Sequence, residues 1–163
     1  MSTTAYLSIK GTKQGLIKGD VTAKGREGTI ALTAVSFQIA TPFDQASGAP
    51  TGKRQHQPLT ITKLVDKTSP LLFQALVTNE TLADVTIALW ETSADGSGKE
   101  KQYYTITLTD ARIVGVMFTS PNTLDPTKVT MSPSEEVRFT YQKIAWTWVE
   151  GGITAQDDWL ASV

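Results

Sequence analysis

The sequence predicts a mainly β protein with one short α-helix packed on an otherwise all-β body. Three observations predict it. Several runs alternate apolar and polar residues with a period of two, the signature of strands with one buried face. Threonine dominates the second face of several of these runs, and a polar β-branched residue suits a wetted sheet surface. One segment departs from the rhythm and takes helical spacing instead.

The elements follow in chain order. "AYLSIK" sets Ala5, Leu7 and Ile9 against Tyr6, Ser8 and Lys10. "IALTAVSFQI" places Val35, Phe37 and Ile39 on one side, Ser36 and Gln38 opposite. In "VDKTSPLLFQALVTNE", Ser69 reads as an N-cap with Pro70 at the first helical position. Leu71, Leu72, Ala75 and Leu76 then fall at helical spacing, and Asn79 closes the end, giving a helix over about 67–79. "VTIALWE" sets Val85, Ile87 and Leu89 against Thr86, Ala88 and Trp90. "SADGSGKEK", Ser93 to Lys101, is a turn-rich hairpin connection, and a second long loop covers about 120–135. "YYTITLTDARIVGVMF" and "EEVRFTYQKIAWTW" carry the two-residue rhythm to the end. In the last run Val137, Phe139 and Tyr141 share a face, but Ile144, Trp146 and Trp148 fall on the other. A bulge or bend near Gln142–Lys143 accounts for the change of phase.

Length and composition bound the function. At 163 residues the chain is read as one domain over 1–163, long enough to bury a core without staples. A net charge of −1 gives no broad field, so neither nucleic acid nor membrane insertion is an expected partnership. With no cysteine there is no disulfide framework and no thiolate metal site. The start "MSTTAYLSIKGTKQG" lacks the basic and apolar regions of a Sec-type signal peptide, and no apolar run has the length of a membrane helix.

The chemical inventory is thin. His56 is the single histidine, so a Ser–His triad has one candidate, in a polar loop with no G-x-S-x-G elbow. Its reading is structural or interfacial, and one histidine makes no zinc site. Glu135–Glu136 and Asp157–Asp158 are read as solvated surface carboxylates, because neighbours on a strand point to opposite faces. No catalytic residue, cofactor or metal site is expected.

"ASGAPTGKRQHQP", Ala46 to Pro58, half-matches a phosphate-binding loop. It fails on spacing, since only Ala49, Pro50 and Thr51 separate Gly48 from Gly52, and on context, since "PLTITK" behind it reads as a strand. The connection from Thr41 to Gln57 is roughly seventeen residues, longer than a compact domain ordinarily uses. Rich in Gly, Ala, Ser and Pro, then carrying Lys53, Arg54 and His56, it reads as an arm for contact with another protein surface.

"GKRQHQPLTITKLVDKTSPLLFQAL" (Gly52–Leu76) closely resembles the signature of the Hcp family, the tube protein of bacterial type VI secretion. So do "EEVRFTYQKIAWTW" (Glu135–Trp148) and "GGITAQDDW" (Gly151–Trp159). With the amino-terminal "YLSIKG" and "IKG", the likeness covers essentially the whole chain. It implies a two-sheet β-barrel with the helix on its side, six copies of which assemble as a ring with a wide lumen. Rings stack into a tube that a contractile sheath expels, with a spike protein of the VgrG type at the tip and effectors inside. The protein is then cytoplasmic first and secreted later, without a cleaved signal peptide. The resemblance makes the stretch with Lys53, Arg54 and His56 a ring-stacking arm. It turns the strand carrying Ser36 and Gln38 toward the lumen as a candidate effector face. Some family members carry a C-terminal toxin domain; the end of the sequence shortly after Trp159 implies none here. Two other readings stand beside it: an effector-binding ring acting mainly as a secreted chaperone or adaptor, and a small all-β hydrolase.

Overall fold

The computed structural model describes residues 3–160. Its strands are β1 (Thr3–Gly11), β2 (Gly15–Ile17), β3 (Ile30–Leu32), β4 (Ala34–Ser36), β5 (Ile39–Ala40), β6 (Gln55–His56), β7 (Leu59–Leu64), β8 (Leu82–Thr92), β9 (Glu100–Thr119), β10 (Ser134–Thr140), β11 (Lys143–Trp148) and β12 (Ile153–Asp158). The helix α1 covers Ser69–Val77, between β7 and β8.

All strand pairings are antiparallel. One sheet, called A here, runs β2–β1–β8–β9–β11–β12, with β3 also on β1; the other, B, runs β4–β7–β10–β9. The long strand β9 belongs to both. Its first half pairs with β8 and β11, and from Arg112 onward it pairs with β10. At the changeover Asp110 takes a positive φ of 50°, an unusual conformation for which aspartate is better suited than most residues. The neighbouring strand turns the same corner at Tyr141–Gln142, where β10 ends and β11 begins. Gln142 N–H donates to the Thr109 carbonyl at 3.1 Å and ties the two corners together. This is the bend that the phase change near Gln142–Lys143 predicts. On the other side of the molecule β3 lies on β1 and β4 on β7, with the Thr33 N–H donating to the Thr62 carbonyl between them. The barrel is therefore bridged there by three-residue strands and is not an unbroken cylinder of ladders.

Alternation decides what is buried. Leu7, Ile9, Val85, Ile87, Leu108 and Ile144 from sheet A meet Leu59, Ile61, Val137 and Phe139 from sheet B in one core. The opposite faces form rows across the strands. In sheet A one row is Ser8, Thr86, Thr107, Ala145 and Gln156. In sheet B one row is Ser36, Thr60, Arg138 and Gly115. A side chain at position 115 would collide with the Arg138 guanidinium, which lies 2.6 Å from where a Cβ would stand.

The helix sits over β9, burying Leu72 and Ala75 with Leu76 against the core, while Leu71 stays half-exposed. Its N-cap is Thr68, one residue before the Ser69 that the sequence predicts. The reason is competition: the Ser69 hydroxyl accepts from Asp66 N–H and from Lys63, so it stabilises the entry turn instead of a free helix amide. The C-terminus closes as expected on Asn79, at φ 52°. Asn79 N–H reaches the Leu76 carbonyl and Glu80 N–H the Ala75 carbonyl, the paired bonds of a Schellman motif.

Two segments, one read as a strand and one as a loop, depart from expectation. "IALTAVSFQI" does not form one strand but three short pieces, β3 to β5, as the chain passes from sheet A to sheet B; Phe37 is left on the surface. The second long loop holds a 3₁₀ turn at Pro126–Lys128 and ends at Ser134, where β10 starts.

Candidate functional site

The expected loop over 41–57 is a β-hairpin arm. Ile39 pairs with His56 and Ala40 with Gln55 at its base, and Phe43 bridges Pro50 nearer the tip. Asp44 builds the turn: its carbonyl accepts from Gly48 N–H, its N–H reaches Ala49, and its carboxylate accepts from Ser47 and Ala46. Gly48 supplies the positive φ of 74° that the turn requires. The tip is therefore shaped by its own bonds, yet residues 43–53 are exposed throughout. Gly48 and Gly52 belong to this hairpin, and the strands β6 and β7 follow it; there is no phosphate cradle opening a helix.

Lys53, Arg54 and His56 separate into two roles. Lys53 is exposed on the arm. Arg54 and His56 lie at the base and face the last strand. Arg54 donates through Nε and one terminal nitrogen to the two carboxylate oxygens of Asp157, at 2.5 and 2.8 Å, and to the Asp158 carbonyl at 3.0 Å. A planar guanidinium suits this two-point contact. His56 is buried, with Nε2 2.8 Å from Asp157 and Nδ1 2.8 Å from the Tyr141 hydroxyl. Its ring stacks on Trp159 at 5.3 Å and meets Tyr141 edge-on at 5.4 Å. The Arg54 hydrogen bond, reinforced by His56, outweighs desolvation and holds the Asp157 carboxyl down to about 2. Burial, then the Asp157 charge, pushes the Tyr141 hydroxyl up to about 12. His56 is thus packed inside its own chain at the base of the arm, and not displayed at the tip.

A second buried network lies at the far end of β7. Lys63 is fully buried, with its ammonium 3.0 Å from Asp66, 3.5 Å from Glu135 and 3.2 Å from the Ser69 hydroxyl. Burial alone would raise the Asp66 carboxyl, but hydrogen bonds from Thr68 and Lys63 bring it below the ordinary range. These two networks correct the reading of the carboxylate pairs as solvated. Glu135 is buried against Lys63 and Asp157 is held by Arg54 and His56; Glu136, one residue along, is exposed as that reading has it. Alternation tells that adjacent carboxylates face opposite ways, but not that one of each pair has a cation waiting.

Ser36 and Gln38 are both exposed, Ser36 within β4 and Gln38 beyond it where the arm begins. Among the described residues no group of three His, Cys, Asp or Glu side chains converges as a metal site. No helix among them is long and apolar enough to cross a membrane.

The comparisons with known proteins agree with this architecture. A family model described as "Type VI secretion system effector, Hcp" matches residues 6–148. The chain belongs to the Hcp family. It is 41% identical to the "Major exported protein" of Pseudomonas aeruginosa, over all of this chain and 99% of the relative. Among solved structures it is similar to one described as Hcp protein, with a TM-score of 0.88 and 29% identity over 99% of this chain and 100% of that one. A secreted protein named Hcp3 from Pseudomonas aeruginosa superposes with a TM-score of 0.79 at 34% identity, over 98% of this chain and 100% of that one.

The three stretches that resemble the Hcp signature come from distant parts of the chain, and the structure brings them together. Arg54 and His56 from the first meet Tyr141 from the second and Asp157 and Trp159 from the third. Lys63 from the first, held also by Asp66 and Ser69 of the same stretch, meets Glu135 from the second. Sequence reasoning misses Tyr141, Asp157 and Trp159 as parts of this site. The available signal is that a lone buried-type histidine and a loop arginine need partners, and the Asp157–Trp159 run is the aromatic and acidic stretch that could supply them.

Proposed function

We propose that this Hcp-family chain is the inner-tube subunit of a type VI secretion system, acting as one domain over 1–163. Six copies close head-to-tail into a ring; rings stack, a contractile sheath expels them behind a VgrG-type spike, and effectors travel in the lumen. The observation that carries the reading is the hairpin arm, rigidly anchored at Arg54 and His56 and bare from Phe43 to Lys53. An ordered arm with an exposed tip loses little conformational entropy on docking. Arg54 and His56 serve it by orienting the hairpin; Lys53 and the tip meet the neighbouring ring. The wetted row Ser36, Thr60, Arg138 and Gly115 suits a lumen wall, and Ser36 with Gln38 is the proposed effector face. The name of the Pseudomonas aeruginosa relative supports export, here from the cytoplasm without a cleaved signal peptide. The role is structural and not enzymatic, needing no cofactor. A second reading, a ring that serves mainly as an effector chaperone, uses the same wall.

Negative-stain images and light scattering of the purified protein test this. Annuli with the mass of six chains are expected. A monomer at micromolar concentration and physiological salt defeats the reading.

A further inference from the structure

We propose that the arm of one copy seats in an apolar groove at the far end of sheet B of a second copy, with Phe43 as the plug. The inference rests on the arm being the stacking element and names its receptor.

The groove has a volume of about 370 Å³ and is lined by Val21, Leu32, Leu64 and Val65, with Asp20 and Asp66 at its rim. Leu64 is 49% exposed and Val65 42%, so two large apolar side chains at the end of β7 are only half covered. Phe43 is 62% exposed on a hairpin whose backbone is braced on both sides of it. Each surface leaves apolar area in water that the other could cover.

Topology sets the two surfaces apart within one copy. The arm leaves sheet B after Ser36 and returns just before Leu59, at one end of β7; the groove is at Leu64, the other end. At about 3.3 Å per residue, the six-residue strand separates them by roughly 17–20 Å. Phe43 does not fill its own chain's groove, since it is 62% exposed and does not line it. The proposed contact therefore sets the Leu64 end of one copy against the Ser36 end of the next, with both in the same orientation. Such a contact joins two different patches and propagates without closing.

Charge favours the same docking. Lys53 is exposed on the arm and has no ion pair among the described residues. Asp20, with its side chain 62% exposed beside the groove, has among the described residues one ion-pair partner, the similarly exposed Lys67 at 3.3 Å. Opposite charges at a rim set register and encounter more than affinity.

The absence of cysteine makes the test clean. Gln45→Cys combined with Thr33→Cys introduces two thiols into an otherwise thiol-free chain, one beside the plug and one in the groove lining, and leaves Phe43 and Val65 in place. After oxidation of concentrated protein, the double variant is expected to give a disulfide ladder extending beyond six chains on a denaturing gel. Neither single variant should do so. A ladder that stops at six places the contact within a ring and overturns the proposal. Tubes seen by electron microscopy without a ladder overturn the groove while leaving the arm reading intact; rings that give neither tubes nor ladder overturn both. Val65→Glu provides an independent check. It should reduce pelletable tubes at least tenfold with ring mass unchanged, and Lys53→Glu should be rescued by Asp20→Lys. Wild-type pelleting of Val65→Glu counts against the groove.

Discussion

Arg54 and Asp157, 103 positions apart in sequence, form a two-point ion pair that fastens the base of the exposed arm to the last strand of the barrel. The arm's orientation is thus set by the far end of the chain and not by its own short ladder.

Lys53 and Arg54, though adjacent, should behave differently when reversed. Lys53→Glu is expected to leave the melting temperature unchanged and to weaken tube formation. Arg54→Glu should lower the melting temperature and expose Trp159, because it sets a second carboxylate against Asp157. Thermal unfolding with tryptophan fluorescence reads both, and equal melting temperatures for the two variants would contradict the division of roles.

Acid should release the latch late. The folded Asp157 carboxyl sits at about 2, below its ordinary value near 3.9. A carboxyl depressed on folding contributes stability that is complete above the unfolded value and disappears as pH falls through the folded one. The contribution is therefore full at pH 5 and lost between about pH 4 and pH 2. Asp66 and Glu80, both lowered, act with the same sign. Asp157→Asn should be less stable than wild type at pH 6, with the gap narrowing as the pH falls through that window. A gap that widens in acid would show the sign to be wrong.

The buried lysine gives a stability prediction. Lys63→Met strands Glu135 without its cation, and breaking a buried pair from one side costs about 3–5 kcal/mol. Lys63→Met with Glu135→Leu should recover part of the loss, since Glu135 is no longer stranded while Asp66, which also loses the lysine, keeps its bond from the Thr68 N–H. Chemical denaturation of the three proteins measures this, and a double variant as weak as the single would mean that Asp66 is the partner that matters.

Ser36 tests the lumen wall. A bulky cation there, Ser36→Arg, should lower effector retention with ring mass unaltered, because the side chain is exposed and its strand is held by Thr60 and Ile61 of β7. Loss of the ring itself would make Ser36 part of an interface between subunits.

Much of the fold is legible in the sequence because its signals are local. The alternation of Leu7 and Ile9, the Asn79 stop and the phase change before Ile144 each depend on a few neighbouring residues. The arm's pairing is not legible, since two-residue strands such as Ile39–Ala40 leave no periodicity to read. Nor are the polar networks. Nothing near Lys63 announces Glu135, and nothing near His56 announces Tyr141; such partners are chosen by topology, after the sheets have formed. The helix start shows the same limit on a smaller scale, because Ser69 looks like a cap until Lys63 and Asp66 claim its hydroxyl.

The latch also has a meaning for biosynthesis. Asp157 and Trp159 leave the ribosome long after the arm does, so a nascent chain carries an unfastened hairpin for most of its synthesis. Contacts of such wide sequence separation form late, after the local turns and helix. A truncated or unfinished chain therefore lacks the strand that aligns its arm. In the tube reading proposed above, the ion pair would act as a checkpoint, tying a copy's competence to join the stack to the completion of its synthesis.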